Sequence, residues 1–319
     1  MPTLSSYLTD LQNLLNTTAS STLYPTGTLI TYINDGRRRV AVDTGCLRVL
    51  PPISGPITAI AVTSGGTGYT TPPQVLISTP DFPIGSGPFP NGAQCTVSAS
   101  IGGGQVTAIA LLSAGAGYFS PTVTVLGSGA GAFATALVSG VVQTVQGQEV
   151  YPFSGLNPVV AQSGSGILGV QAIQSVNIIW TTFRYTLQHR SFSLYQAYVR
   201  NYGAGLYQYV PAVWSQYGFG DTGSLYVYPV PNTAYQMEID CLCMPQPLTV
   251  DTDVDAMPYP FYSAVKYYAA HLAYLQKQRF ADSRMMFNED SRAPGQYQTF
   301  IKSARRDSQP SSVANWYGR

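Results

Sequence analysis

The sequence predicts an α+β protein in which a helical core with antiparallel β-hairpins is interrupted by an inserted all-β module, sandwich- or barrel-like. Three observations predict it. Ile57-Thr58-Ala59-Ile60-Ala61 runs into Ser64-Gly65-Gly66-Thr67-Gly68-Tyr69, and forty-nine residues later Val106-Thr107-Ala108-Ile109-Ala110 runs into Ser113-Ala114-Gly115-Ala116-Gly117-Tyr118. A phrase repeated at this length defines a structural unit. Between Val49 and Gln148 the only charged side chain is Asp81. The flanking segments carry charge, and their apolar residues recur at helical spacing. The division expected is 1–52 with 143–307 as one domain, 53–142 as the inserted module and 308–319 as a C-terminal arm.

The first helix is expected from Thr3 to Leu15, with Leu4, Leu8, Leu11 and Leu15 on one face and Thr3 or Ser5 as N-cap. A short polar linker, 16–21, follows. Thr26 or Thr28 caps a second helix whose inward residues are Leu29, Ile30, Ile33, Val40 and Val42, and Gly45 stops it. Arg37, Arg38 and Arg39 lie within it. Successive helical residues point about 100° apart, so the three fan out and cannot face one partner together. They read as a solvated helix side, or as a contact to an acidic neighbouring subunit or to passing DNA.

In the module, each repeat passes through a Pro-marked turn into a β-branched run, 74–77 and 122–125, and a further strand follows each, 95–100 and 133–139. Six to eight short strands are expected. The glycine clusters suit turns with positive φ. They are not phosphate loops, because no Lys-Ser/Thr and no amphipathic helix follows. The near absence of charge, with Tyr69 and Tyr118 at matched positions, reads as a packing surface. Downstream, 150–202 reads as strands, with 187–198 open to a short helix. Leu225 to Pro231 and Tyr235 to Cys243 read as an antiparallel hairpin turning at 231–233. Asp251, Asp253 and Asp255 form a solvated acidic loop that caps a long helix, 259–289, striped by Ala264, Tyr267, Tyr268, His271, Leu272 and Leu275. A last helix covers 294–304, and 308–319 is a polar arm tipped with Trp316-Tyr317.

Charged residues are a tenth of the chain, against about a quarter in ordinary soluble domains, and Tyr, Gly and Pro are abundant. Rigid, amphipathic Tyr favours protein–protein packing, so the composition suits a subunit of an assembly. A net charge of +1 gives no global pull toward nucleic acid or anionic membrane. There is no charged n-region with an apolar h-region, and no apolar run of about twenty residues. Cys241 and Cys243, two apart in a strand, have Cα atoms about 6.5–7 Å apart, at the limit for a bridge. With Cys46 and Cys95 they read as buried free thiols.

Catalytic chemistry finds no support. His189 and His271 sit in no nucleophile, zincin or metal pattern. Nothing in the spacing of Asp221, Glu238, Asp240 and the 251–255 carboxylates selects an acid–base pair. The Asp loop lacks the Gly and distal Glu of a calcium loop. No enzyme activity, cofactor, metal or catalytic residue is expected.

A resemblance narrows the reading. Leu11 to Leu15, Tyr24-Pro25-Thr26, and the run from Leu29 to Gly45 that contains Tyr32-Ile33-Asn34-Asp35-Gly36-Arg37-Arg38-Arg39-Val40-Ala41-Val42-Asp43-Thr44 resemble the two-helix start of tailed-phage head-to-tail adaptors, the connector or head-completion proteins. Trp214, Tyr217-Gly218, the aromatic run 223–231, 235–240, Asp251, Asp253 and the 258–275 segment are similar to the same family. The resemblance covers about 1–48 and 205–290. The Gly-x-Gly-Tyr repeat is similar to modules in other phage virion proteins. The resemblance implies a helical adaptor core that assembles as a homo-oligomeric ring, a dodecamer, under the portal protein. Such a ring extends the channel for passing DNA without sequence specificity and meets a tail nozzle or tail-tube protein. The module would project outward to hold a tail fibre, reach the capsid or brace neighbouring subunits. Portal docking would fall to Lys302, Arg305, Arg306, Trp316 and Tyr317. Tyr267, Tyr268, His271 and Leu275 would form the subunit interface, and Arg37, Arg38 and Arg39 would face the channel or a neighbour. The protein would sit at the head–tail junction of a virion, with no membrane partner, after synthesis in the host cytoplasm. The alternatives are a receptor- or carbohydrate-binding fibre or tail component and, behind it, a cell-wall-degrading virion enzyme.

Overall fold

The computed structural model describes residues 1–17, 22–52, 54–82, 92–119, 121–180, 183–201, 207–290 and 292–308. The fold is mixed α+β. Helix α1, Leu4–Leu15, begins at Thr3 with a capping box: Ser6 N–H donates to Thr3 Oγ1, and Thr3 N–H donates to Ser6 Oγ at 3.0 Å. Leu4, Leu8, Leu11 and Leu15 are buried as the spacing requires. Helix α2, Thr26–Thr44, starts behind Pro25 with no side-chain cap, so neither Thr26 nor Thr28 is its N-cap. Gly45 ends it at φ +60°, where a residue without Cβ is unstrained. Leu29, Ile33 and Val40 are buried, Ile30 is half-buried, and Val42 faces solvent. Arg48–Val49 then joins the main sheet by pairing with Leu242 and Cys241.

Between 57 and 138 the chain forms antiparallel strand pairs that do not close into a barrel. Ile57–Thr67 pairs with Ala130–Val138, Gln74–Ile77 with Val123–Leu126, and Thr96–Gly102 with Gln105–Ser113. The two repeats are thus exchanged: the first strand of each pairs with the last strand of the other, and the middle strands pair together. The registers match. Ile57 faces Val138 as Val106 faces Ile101, and Ser64 faces Phe133 as Ser113 faces Thr96, with bulges at equivalent steps. The turns match too. Tyr69 N–H donates to Gly104 O and Tyr118 N–H to Gly55 O. Gly66 and Gly115 hold positive φ, and a Cβ there would lie 2.3 Å from Ala130 O and 2.4 Å from Ala93 O. Tyr69 and Tyr118 do not form a packing surface for a partner. Both are buried, Tyr118 with Ile57, Ile77 and Cys95, Tyr69 with Val106 and Ile109. A duplicated unit with so few large apolar residues buries its two tyrosines to make its own cores.

Downstream, three expectations change. The stretch 150–202 is not all strand. Val150–Pro152 leads into helix α3, Phe153–Ser163, which buries Phe153, Leu156 and Val160 at helical spacing despite Pro158. Strand Ile167–Trp180 follows as one element, then Phe183–Thr186, Gln188–His189 and helix α4, Phe192–Asn201. The hairpin of 225–231 with 235–243 does not form. Ser224–Tyr228 pairs with Val213–Tyr217 and with 150–152, whereas Gln236–Pro245 pairs with Ile167–Trp180. Pro229 and Pro231 offer no N–H, so the ladder stops and the chain passes to the second sheet. The helix expected over 259–289 is divided: a 3₁₀ turn at Phe261–Ala264, helix α5 at Val265–Gln276 and helix α6 at Phe280–Met286. Gln278, at φ +58°, reverses the chain between them. Helix α7 spans Gln296–Ser308. One hydrophobic cluster draws on α1, α2, α3, the main sheet, α5 and α7. The buried face of α5 is Val265, Ala269, Ala270, Ala273 and Tyr274, so its alanines meet α2. A Cβ on Gly36 of α2 would lie 3.0 Å from Val265 O, which marks how close the two helices run.

Candidate functional site

The three arginines of α2 reach three environments, as their 100° separation requires. Arg37 is inside the subunit: its side chain is 1% exposed and that of Asp255 0%. Arg37 Nη2 donates to Asp255 Oδ1 at 2.6 Å, and Nη1 donates to Asn34 Oδ1 and Gln246 O. Tyr7 O–H of α1 donates to Asp255 Oδ2 at 2.5 Å, and Met257 N–H donates to Oδ1. Burial, then the neighbouring carboxylate, pushes the Tyr7 phenol well above its ordinary range. One carboxylate therefore ties α1, α2 and the 246–257 connection together. This corrects two expectations: Arg37 faces neither a channel nor a neighbour, and Asp255 is not part of a solvated loop. Asp253 instead accepts from the N–H groups of Thr249 and Val250, and its carboxyl is held below the usual range by those two bonds. The α5 segment has no side-chain cap from these residues.

Arg38 is exposed beside Asp35. Arg39 sits at a corner where α2, α6 and α7 meet. Its Nε donates to Asp43 Oδ2 at 2.8 Å, one turn on, and Nη2 donates to Glu289 Oε1 at 3.1 Å. The guanidinium lies 5.5 Å over the Phe287 ring. Tyr297 O–H of α7 donates to the same Asp43 Oδ2, and Arg305 donates to Asp43 O. Desolvation and then Asp43 raise the Tyr297 phenol well above its usual value. A surface groove of about 320 Å³ lies here, lined by Arg39, Asp43, Glu289, Tyr297, Lys302 and Arg305 among others. The fold thus brings Arg39 beside Lys302 and Arg305, residues separated by most of the sequence. Arg306 is exposed near the end of the same helix. Trp316 and Tyr317 lie outside the described residues.

The α5 candidates divide. Tyr268 packs on Phe287 and Tyr297 at 5.2 and 5.7 Å, and His271 on Phe287 at 4.9 Å. Ser283 Oγ is 2.8 Å from His271 Nδ1, which closes α6 onto α5. Both residues are engaged within the subunit. Tyr267 is half-buried against Phe300, and Leu275 is exposed. The thiols are free, with Cys95, Cys241 and Cys243 buried and Cys46 half-buried. Among the described residues no group of His, Cys, Asp and Glu is placed to hold a metal ion. Among the described residues no helix is long and apolar enough to cross a membrane.

Sequence reasoning missed Asp43 and Asp255, the acceptors that organise both clusters. The Arg39–Asp43 spacing of four in a helix was the available signal. Nothing local marked Asp255, 218 residues from Arg37.

Residues 129–316 match the family model of the SU10 adaptor protein, well over half the chain. The match takes in the downstream segment, 205–290, that resembles head-to-tail adaptors, and starts beyond α1 and α2. No curated protein matches the chain.

Proposed function

The chain belongs to the SU10 adaptor protein family, a phage head–tail adaptor family, and we propose that it assembles as a ring under the portal, extends the DNA channel and presents a platform for the tail. It is a structural component of a phage virion. The observation that carries the finer reading is the corner of α2 and α7. There Arg39, Lys302 and Arg305 converge on an open groove with Asp43 and Glu289 at its rim. Cations and carboxylates mixed in one exposed groove suit a protein partner with charges of both signs, and such pairs set register more than affinity. We place the portal contact here, with the arm, 308–319, continuing from α7, and Trp316 and Tyr317 as its anchors. The ring is a dodecamer in this reading, with 53–142 as an inserted module outside the channel and a fibre or the capsid as its further contacts. Tyr267 and Leu275, on the accessible flank of α5, are the remaining candidates for the subunit interface, and Arg38 for the channel.

Electron microscopy of the purified protein with a portal tests the reading: a ring below the portal is expected, and its absence overturns it. Truncation after Asp307 tests the arm separately. Portal binding that survives loss of 308–319 removes the docking role of Trp316 and Tyr317.

A further inference from the structure

The groove at the corner of α2, α6 and α7 is lined by cations and carboxylates that are not equally satisfied within the subunit. Asp43 is committed inward. Its Oδ2 accepts from Arg39 Nε at 2.8 Å and from Tyr297 O–H at 2.9 Å, and its main-chain O accepts from Arg305. Lys302 is exposed and has no ion pair or hydrogen bond among the described residues. Glu289 is 69% exposed, and its bond among the described residues is the one to Arg39 Nη2, at 3.1 Å. An ion pair so open to water contributes little. Glu289 also lies in the connection between Phe280–Met286 and Gln296–Ser308, outside both helices, so it can swing away without unwinding either. Without Glu289 the groove faces outward as positive.

Arg39, in contrast, is held in place. Asp43 fixes its Nε, and its guanidinium lies over Phe287. Phe287 is itself wedged among His271, Tyr268 and Tyr297, with ring centroids 4.9, 5.2 and 5.4 Å away. A guanidinium fixed at Nε and on one face presents Nη1 and Nη2 as a preformed fork, which a carboxylate can take in two parallel bonds. Glu289 fills this fork only in part, through Oε1 on Nη2, and Nη1 has no partner among the described residues. Donors already in place lose little freedom when a ligand arrives.

We propose that Glu289 is a resident stand-in for a carboxylate of the portal, which displaces it on docking and is held between Arg39 and Lys302. The exchange keeps the ion pair at Arg39 and adds one at Lys302, and it leaves Glu289 to meet a cation of the partner. Until then the subunit's own charge competes for the site, which disfavours weaker acidic partners. The choice of the portal rests on the contact proposed above for this corner.

The test measures binding of the full chain to the purified portal by biolayer interferometry across salt concentration. Glu289→Gln removes the competitor and should tighten binding by about two- to fivefold. Lys302→Gln should weaken it by a similar factor and flatten the salt dependence. Arg39→Gln should weaken it at least about tenfold, and in that background Glu289→Gln should bring no gain. Arg39 also braces Asp43 and Phe287, so its variant is checked by melting temperature. Lys302 and Glu289 are exposed, and the opposite signs expected for them do not depend on the Arg39 variant folding. A corner that is merely structural gives no tightening when Glu289 loses its charge. If Glu289→Gln leaves affinity unchanged or weakens it, the stand-in role is wrong, while the portal contact and the ring remain. If the wild type does not bind the portal, the inference falls with the reading it rests on. Self-association without portal that Lys302→Gln abolishes would make a second copy the occupant and overturn the assignment to the portal.

Discussion

Replacing Asp255 by Ala removes the acceptor of a fully buried guanidinium. The variant loses the 2.6 Å bond from Arg37, the 2.5 Å bond from Tyr7 and the bond from Met257 N–H at once. Arg37 stays buried, held only by Asn34 and Gln246 O. Breaking a buried pair from one side costs about 3–5 kcal/mol, because the remaining charge is unpaired. At about 2–4 °C per kcal/mol for a domain of this size, the melting temperature should fall by roughly 6–20 °C. Removing both charges has a different sign of consequence. Arg37→Met with Asp255→Leu leaves no buried charge and should recover most of the loss. Tyr7→Phe takes away one donor and should cost about 1 kcal/mol. Urea unfolding of wild type, Arg37→Met, Asp255→Leu and the double variant, read by circular dichroism, completes a double-mutant cycle. A cost of less than about 1 kcal/mol for Asp255→Ala, or a loss in the double variant equal to the sum of the two single losses, would refute the buried pair.

Gly36→Val should destabilise by about 1–3 kcal/mol, read by the same urea titration, because its side chain would wedge α2 from Val265 O of α5. The thiols should resist labelling in the native protein: burial pushes Cys243 up to about 12 and raises Cys46, Cys95 and Cys241 as well. A maleimide reagent at pH 7 should therefore modify all four only in denaturant, and rapid native labelling of Cys241 would contradict the packing. Asp253 has a depressed folded pKa, so its contribution is present above the unfolded carboxylate value, about 3.9, and is lost as pH falls through the lower folded value. Asp253→Ala should flatten the acid limb of stability against pH, and an unchanged acid limb would count against its two backbone bonds.

The candidate site was legible wherever a local rule governs it. Apolar spacing gave α1 and α2, Gly45 gave the end of α2, and the 100° step required the arginines to separate. Local rules did not show which arginine turns inward, because the partner of Arg37 lies 218 residues away. Helix α3 was hidden by Pro152, Pro158 and Gly155, yet Phe153, Leu156 and Val160 hold it against the main sheet. The alternation of 225–228 and 236–243 was visible, but not that each strand finds its partner elsewhere.

By itself the sequence determined the α+β class, the bounds of the charge-poor repeat, the absence of a catalytic pattern and the adaptor resemblance. These depend on composition, period and short spacing. Tertiary structure decided what depends on distant pairing. The repeats exchange strands, since each unit alone leaves its outer strands unpaired, and their tyrosines turn inward to fill cores that small side chains leave thin. Arg37 closes on Asp255 because α1, α2 and the 246–257 connection enclose one dry space, where a charge persists only with its counter-charge. Arg39 meets Lys302 and Arg305 because α7 returns across the end of α2.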